Sequence, residues 1–151
     1  MKRIACLVLT AASLTTGCAT AKLDTPSGFA SHDPGSAYDI RVSDGEGVVL
    51  AVRSEKNRPS GDLQYWSSAL DVQLRSAGYQ AKEVQDVESA DGHAGKQLRY
   101  ELHDAGRTLD FWLSVFVTDR RVIVVEAGGD QSFFEDKQDQ VEAAIASLRV
   151  G

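Results

Sequence analysis

The feature of this sequence that most constrains its fold is a run of three predicted strands and one predicted helix within residues 96–148. In residues 98–102 apolar and polar side chains alternate, and in residues 109–117 every second side chain is apolar, which is the period of a β-strand. Residues 122–125 are apolar on both faces, as expected for a central strand with a layer on either side. This succession predicts a sheet with helices packed on it.

Upstream of this run, the pattern predicts a hairpin and a helix. Two alternating runs flank Asp44-Gly45-Glu46-Gly47, and glycine supplies the positive φ that a tight turn needs. Because a strand rather than a helix follows these glycines, we do not interpret them as a phosphate-binding loop. An apolar stripe of helical spacing then runs from a cap at Ser60 or Asp62 to Ala77, and Gly78 follows where a helix would end.

Two further patterns complete the predicted element order. In residues 79–88 the apolar side chains fall out of strict alternation, which indicates a strand with a bulge or an edge position. Ser132 and Glu135 match a capping box, from which one helix is predicted to run to the end of the sequence. The predicted order is β-β-α-β-β-β-β-α, an α+β fold in which an antiparallel β-sheet is packed with two main helices.

The first residues of the sequence match an export signal. Lys2 and Arg3 precede an apolar stretch, residues 4–14, which is shorter than the roughly 20 residues that a membrane span requires. We therefore predict a signal peptide over residues 1–17 rather than a transmembrane helix.

The end of this segment, Gly17-Cys18, resembles the lipobox of bacterial lipoproteins. The resemblance implies that Cys18 is acylated, becomes the mature N-terminus and holds the protein in a membrane of the cell envelope. A non-acidic residue after the cysteine, Ala19, implies passage to the outer membrane, with the domain facing the periplasm or the exterior. The alternative is ordinary secretory cleavage near Ala19 or Ala21.

Residues 18–36 show no hydrophobic period after the predicted cleavage site. They are rich in Ala, Ser, Thr, Pro and Gly, which predicts a flexible tether able to reach about 60 Å when extended. Residues 37–151 then form a single predicted domain.

Net charge limits the kind of partner to expect, and cysteine content limits the disulfides that can form. Without residues 1–17 the chain has 14 Lys and Arg against 22 Asp and Glu, a formal charge of −8, so we expect no nucleic acid partner. Cys6 leaves with the signal peptide and Cys18 is the predicted anchor, so no cysteine remains for a disulfide.

The predicted domain resembles the PsbP/DcrB-like superfamily over roughly residues 37–150. The resemblance rests, in chain order, on the hairpin at residues 44–47, the helix ending at Gly78-Tyr79, the loop at residues 91–95, the strand ending at Val117, the strand at residues 122–127 and the final helix through Leu148. It implies an α/β/α sandwich and a role as an accessory, adaptor or envelope protein rather than an enzyme.

Few residues could support chemistry. The sequence contains no GxSxG, HExxH or CxxC motif and no P-loop, so we expect no catalytic residues, no cofactor and no enzymatic activity. One set, Asp91, His93, His103 and Asp104, offers nitrogen and oxygen ligands for a metal if the loop folds back. Their spacing is not diagnostic, so we interpret them as solvated loop residues and predict no metal.

Trp112 and Phe116 share the less apolar face of the longest predicted strand. The first interpretation is that a helical layer covers both side chains. The alternative leaves them exposed as a partner-binding patch or a small apolar pocket, because large exposed aromatic side chains are uncommon without a use. We therefore keep both as candidate partner-binding residues.

These patterns together predict a non-catalytic, membrane-anchored envelope lipoprotein that acts as a protein-binding or accessory module. The membrane contact would be made by the lipid on Cys18, and the expected partner is an envelope protein. The main alternative is a structural scaffold domain of an envelope assembly, and the next is a small-ligand- or metal-binding protein.

Overall fold

The computed structural model describes residues 21–151, in which seven strands and three helices are formed. The strands are β1 (Ala30–Ser31), β2 (Ile40–Ser43), β3 (Val49–Lys56), β4 (Gln80–Glu88), β5 (Ala94–Asp104), β6 (Arg107–Val117) and β7 (Arg121–Asp130). The helices are α1 (Leu63–Ser76), α2 (Gln131–Glu135) and α3 (Gln138–Ala146). No helix among the described residues combines the length and the hydrophobicity needed to cross a membrane.

All seven strands form one sheet in the order β1-β2-β3-β7-β6-β5-β4, and every neighbouring pair is antiparallel. The apolar run at residues 122–125 lies in β7, the fourth of the seven strands, so its predicted central position is confirmed. Helix α1 packs on one face of the sheet, and α2 and α3 pack on the other. The predicted α+β fold, an antiparallel sheet between helical layers, is therefore confirmed.

Helix α1 begins and ends where its capping residues predict. The side chain of Asp62 accepts a hydrogen bond from the backbone N–H of Tyr65 at 2.8 Å, which satisfies one of the free donors of the first turn. After Ala77 the chain turns at Gly78, whose φ of +96° lies in the region that favours glycine.

One face of the sheet receives the apolar stripe of α1. The stripe packs on six buried sheet residues, Leu98, Tyr100, Leu113, Val115, Val122 and Val124. A polar contact adds to this packing, because the hydroxyl of Tyr100 donates a hydrogen bond to Asp71 Oδ1 at 2.8 Å. Burial, together with the hydrogen bond and negative charge of Asp71, raises the pKa of Tyr100, so this hydroxyl stays protonated.

The opposite face holds the larger core, beneath α2, α3 and the N-terminal segment. Its buried members include Val42, Leu50, Val52, Trp112, Phe116, Ile123, Val125, Phe134, Val141, Ile145 and Leu148. Side chains of β6 and β7 alternate between the two cores, which is why both strands are apolar on both faces.

Strand β4 lies at one edge of the sheet, and its pairing with β5 shifts register between Ala81 and Glu83. The predicted bulge and the predicted edge position are both confirmed. Charged side chains at Lys82, Asp86 and Glu88 discourage pairing of this edge with another chain.

The prediction of one continuous C-terminal helix is wrong. Helix α2 ends at Glu135 and α3 begins at Gln138, and the cap of α2 is Asp130 rather than Ser132. Asp130 Oδ1 accepts from the backbone N–H of Ser132 at 3.2 Å, directly where β7 ends. The break between the helices lets Phe134 enter the core beside Trp112, with 5.0 Å between the ring centres.

The predicted tether is also wrong over residues 21–36, because the fold already includes Ala21, whereas the domain was predicted to begin at residue 37. Ala21 is only 3% exposed, and Lys22 pairs with Arg149 through two backbone hydrogen bonds of 3.0 and 2.8 Å. Residues 30–31 form β1, which pairs with β2. The predicted signal peptide and Cys18 lie outside the described residues and stay predictions.

Candidate functional site

Trp112 and Phe116, the candidate partner-binding residues, are not accessible on the folded chain. Trp112 is 3% exposed and Phe116 is fully buried, and the edge of Phe134 meets the Trp112 ring. The guanidinium of Arg99 lies 3.8 Å from the ring centre of Trp112, an arrangement that favours a cation–π contact. The exposed-patch hypothesis is therefore corrected, since helices α2 and α3 cover both side chains.

The four residues considered as metal ligands are not brought together. Asp91 and His93 precede β5, whereas His103 and Asp104 are its last two residues. Ten residues of strand separate the two pairs by about 34 Å, so the loop cannot fold back as the hypothesis required. Among residues 21–151 no group of three His, Cys, Asp or Glu side chains is placed to hold a metal ion.

Asp91 instead has a structural role at the C-terminal end of the chain. Its Oδ2 accepts from the backbone N–H groups of Val150 and Gly151 at 2.9 and 3.1 Å, and its Oδ1 accepts from the hydroxyl of Ser89 at 2.6 Å. Burial opposes the charged form, but these hydrogen bonds outweigh it and hold the pKa of Asp91 well below its usual range.

Asp91→Asn is expected to lower the free energy of unfolding by about 1 kcal/mol at neutral pH, because asparagine offers only one acceptor oxygen for these donors. A carboxyl group whose pKa is lower in the folded state stabilises the fold at pH values above its unfolded-state pKa of about 3.9. That contribution is lost as the pH falls through the folded-state pKa. The difference between parent and variant should therefore shrink as the pH falls from about 5 toward 3. Urea unfolding across this range, with exposed Asp139→Asn as the control, measures it; a difference that grows on acidification would contradict the assignment.

The candidate functional site is a cleft of about 660 Å³ at the end of the sheet where β3 ends and β7 begins. We call it the basic cleft. Its lining residues are Asp39, Ser54, Glu55, Lys56, Asn57, Arg58, Asp119, Arg120 and Arg121. Four cationic side chains thus line one cleft of a chain whose formal charge is −6.

Sheet register explains why these cations converge. Lys56 ends β3 directly opposite Arg121, the first residue of β7, and Arg120 precedes it in the β6–β7 turn. The backbone N–H of Asn57 donates to the carbonyl of Arg120 at 2.9 Å, which extends the pairing one residue beyond the strands. Arg58 therefore starts the β3–α1 connection at the rim of the cleft.

The side chain of Asn57 fixes the wall of the cleft. Its Nδ2 donates to the carbonyls of Gly61 and Thr118, both at 3.0 Å. Its Oδ1 accepts from the backbone N–H of Gly61 at 2.9 Å and from Trp66 Nε1 at 2.7 Å. One buried amide thereby joins the β3–α1 connection, the β6–β7 turn and helix α1.

A groove of about 440 Å³ continues the basic cleft along helix α1. Glu55, Lys56 and Arg58 line both, so the two depressions share a rim. The groove adds the partly buried side chains of Trp66 and Leu70, over a floor of the buried Val122 and Val124. The combined surface can receive a group that is anionic at one end and apolar beside it.

Charge in the cleft is only partly compensated. Arg53 pairs with Glu126 at 2.9 Å and with Glu55 at 3.2 Å, so Glu55 is already engaged. In the described part of the chain, the side chains of Lys56, Arg58 and Arg120 form no ion pair within 4 Å. The exposed cations are therefore available to an anionic ligand.

Beside the groove, a polar cluster of Tyr38, Arg53 and Glu126 occupies the same face of the sheet. The hydroxyl of Tyr38 donates to Glu126 Oε2 at 3.1 Å, and Arg53 Nε donates to Glu126 Oε1. The negative charge of Glu126, followed by burial, raises the pKa of Tyr38. Tyr38 thus stays a hydrogen-bond donor to Glu126.

The periodicity of the sequence does not reveal this cleft, although a signal for it exists. Lys56-Asn57-Arg58 follows the second predicted strand of the hairpin, residues 48–53, and Arg120-Arg121 precedes the predicted strand at residues 122–125. Pairing those two strands antiparallel would have placed both cationic segments at the same end of the sheet. The pairing of β3 with β7 joins strands separated by more than 60 residues, and periodicity alone does not reveal it.

Comparisons with known proteins identify the fold. No protein-family model and no curated protein matches the sequence. LpqN, described as involved in cell envelope biogenesis of Mycobacterium tuberculosis, is similar in structure with a TM-score of 0.70 at 13% identity, over 85% of this chain and 82% of LpqN. Cyanobacterial PsbP (CyanoP) from Synechocystis sp. PCC 6803 is similar with a TM-score of 0.62 at 14% identity, over 93% of this chain and 98% of CyanoP.

A protein of unknown function from Pseudomonas aeruginosa, PA94, also matches, with a TM-score of 0.52 at 12% identity over 87% of this chain and 84% of its own. Identities this low establish the shared fold and nothing further. The PsbP-like fold that the resemblance implied is thereby confirmed.

Proposed function

We propose that this protein is a non-catalytic accessory module of the cell envelope, held at a membrane by a lipid on Cys18. The observation that carries the proposal is the position of Ala21, which is buried in the domain only three residues after Cys18. Three residues span about 10 Å at most, so a lipid on Cys18 would keep the whole domain at the membrane surface. Such a position suits a module that acts on neighbouring envelope components.

The candidate site supports binding rather than catalysis. The basic cleft presents four cations, three carboxylates and an amide, and none of the described histidines, His32, His93 and His103, lines it. The hydroxyl of Ser54, which also lines the cleft, is buried and makes no hydrogen bond to a base, so the lining lacks the pairing that nucleophilic catalysis needs. The description of LpqN as an envelope biogenesis protein is compatible with an accessory role, and an envelope protein is the partner that we propose.

A second candidate function, binding of a small amphiphilic anion, is favoured by one observation. The groove beside α1 joins an apolar wall at Trp66 and Leu70 to the cationic rim at Lys56 and Arg58. A ligand with one anionic group and a short apolar part could pack its apolar part against Trp66. Its anionic group would then lie beside Lys56 and Arg58.

Cys18→Ser is expected to move the protein from the membrane fraction to the soluble fraction almost completely, because a hydroxyl cannot take the acyl chains that provide stable anchoring. Fractionation of parent and variant cells, with mass measurement of the mature N-terminus, tests this. Cross-linking in both strains should recover the envelope partner only from the parent. An unmodified parent N-terminus, or cleavage of the parent at Ala19 or Ala21, would contradict the proposal.

Thr16→Ser, two residues before the cysteine, is the matched control because it keeps the thiol. Its product should remain in the membrane fraction with the same mass at the mature N-terminus as the parent. If both variants leave the membrane, the loss reflects failed export rather than missing lipid.

A further inference from the structure

The chain enters the fold beside the β4–β5 loop. Lys22 pairs with Arg149, and the backbone N–H of Ala90 donates to the carbonyl of Leu148 at 2.7 Å. Residues 89–93 form this loop, and Asp91 accepts the backbone N–H of Val150 from the same segment. Ala21 and its neighbour Lys22 are therefore at the end of the sheet where β4 ends and β5 begins.

The basic cleft lies at that same end of the sheet. Gly95, near the start of β5, is opposite Phe116, near the end of β6, and the β6–β7 turn follows at residues 118–120. Strands are spaced about 4.8 Å apart, so this turn lies about 10 Å from the β4–β5 loop and the end of β3 about 15–20 Å from it. The entry point of the chain and the exposed cations thus share one side of the molecule.

We propose that the basic cleft is the membrane-facing surface of the domain and binds the phosphate groups of anionic phospholipid headgroups. The inference rests on the proposed anchoring at Cys18, which places this end of the sheet nearest the bilayer. A connection of about 10 Å cannot carry the opposite end of the sheet, more than 30 Å away, to the membrane surface while the anchor stays inserted.

The chemistry of the cleft matches that surface. Lys56, Arg58 and Arg120 are exposed and unpaired among the described residues, and guanidinium groups bind phosphate oxygens in a bidentate geometry. Asp39 and Asp119 also line the cleft and offset part of its charge, whereas Glu55 is paired with Arg53. Trp66 in the adjoining groove is a residue type that prefers the interface between water and lipid.

A second cationic pair extends this surface toward the anchor. Lys22 and Arg149, which pair through their backbones, are both exposed beside the β4–β5 loop. Asp24, Glu88 and Asp91 also stand near this loop, so it does not form a uniformly positive surface. The cations of the cleft therefore have to provide the specific contacts, and the acyl anchor provides the stable attachment.

The test uses the chain from Cys18 onward, which retains every described residue and both cores. Its single thiol is joined to a maleimide phospholipid in vesicles of phosphatidylcholine, alone or mixed with phosphatidylglycerol at about two to one. Amide hydrogen exchange should slow at residues 56–61 and 118–121 on the anionic vesicles and stay unchanged at residues 103–108. Equal exchange on both vesicles, or protection of residues 103–108 instead, would overturn the inference.

Charge variants then identify the contacts. The double variant Arg58→Gln/Arg120→Gln is expected to abolish the protection from amide exchange on anionic vesicles. In the unlipidated Cys18→Ser chain, the same two substitutions should weaken binding to anionic vesicles about thirtyfold, where a tenfold change corresponds to about 1.4 kcal/mol. Lys82→Gln/Arg107→Gln changes the net charge equally on exposed residues outside the cleft and should leave both readouts within about threefold of the parent. Equal losses in the two variants would show a nonspecific charge effect and overturn the assignment.

The two proposals fail in different ways. If the protein in cells is not acylated at Cys18, the anchoring proposal fails, while chemical attachment of the lipid still tests the membrane-facing surface. If exchange at residues 118–121 slows only when an envelope protein extract is added, the cleft is a protein-binding site and the headgroup assignment is wrong.

Discussion

Trp112→Ala is expected to lower the free energy of unfolding by about 3–5 kcal/mol. The Trp112 side chain is 3% exposed and fills the space between β6 and α2, where the ring of Phe134 meets it edge-on. Alanine would leave a cavity that the surrounding strands cannot close, and it would remove the ring beneath the Arg99 guanidinium. Urea unfolding followed by far-ultraviolet circular dichroism measures the loss.

Phe133→Ala is the matched control for this prediction. Phe133 is adjacent to Phe134 in α2 but is 42% exposed, so its removal should change the free energy of unfolding by less than about 1 kcal/mol. If Trp112→Ala is no more destabilising than Phe133→Ala while capture of an envelope partner is lost, the aromatic pair is a binding patch after all.

The central part of the fold could be predicted because its local patterns agree with its tertiary environment. Residues 122–125 are apolar on both faces, and the strand that contains them is covered on both sides. Helix α1 carries its own start and stop signals in Asp62 and Gly78. In each case a short-range pattern and the long-range packing require the same residues, so periodicity was sufficient.

Residues 21–36 could not be placed from sequence because their contacts do not depend on an apolar period. Lys22 is held through backbone hydrogen bonds to Arg149, and β1 is a pairing of two residues with β2. Backbone donors and acceptors are present at nearly every residue, so a composition rich in Ala, Ser and Gly does not indicate which of them form hydrogen bonds to the rest of the fold. The predicted reach of about 60 Å is therefore reduced to at most about 10 Å of chain between the predicted anchor at Cys18 and Ala21.

The burial of Trp112 and Phe116 also could not be decided from the sequence. Alternation places both side chains on one face of β6, but it does not say what covers that face. The cover comes from Phe134, Val141 and Ile145, which follow in a different part of the chain. The basic cleft was missed for a related reason, since its cations converge only once β3 is paired with β7.

Asn57 is the residue on which the shape of the cleft depends most directly. Its side-chain amide satisfies both donors and both acceptor positions with Gly61, Thr118 and Trp66, and the residue is only 7% exposed. The flanking residues Lys56 and Arg58 are thereby held at fixed positions on the rim. Loss of this amide should affect both the stability of the domain and the cationic surface beside it.

Asn57→Ala is expected to lower the free energy of unfolding by about 2–4 kcal/mol, because four hydrogen bonds are lost and partly buried groups of Gly61, Trp66 and Thr118 are left without partners. Amide exchange should accelerate in the β3–α1 connection and the β6–β7 turn, and binding to anionic vesicles should weaken. Gln64→Ala is the control, since Gln64 is exposed and its side chain forms one hydrogen bond, to Ser68, worth less than about 0.5 kcal/mol at the surface. A loss below about 1 kcal/mol for Asn57→Ala would mean that water replaces these bonds and that the wall of the cleft does not depend on the amide.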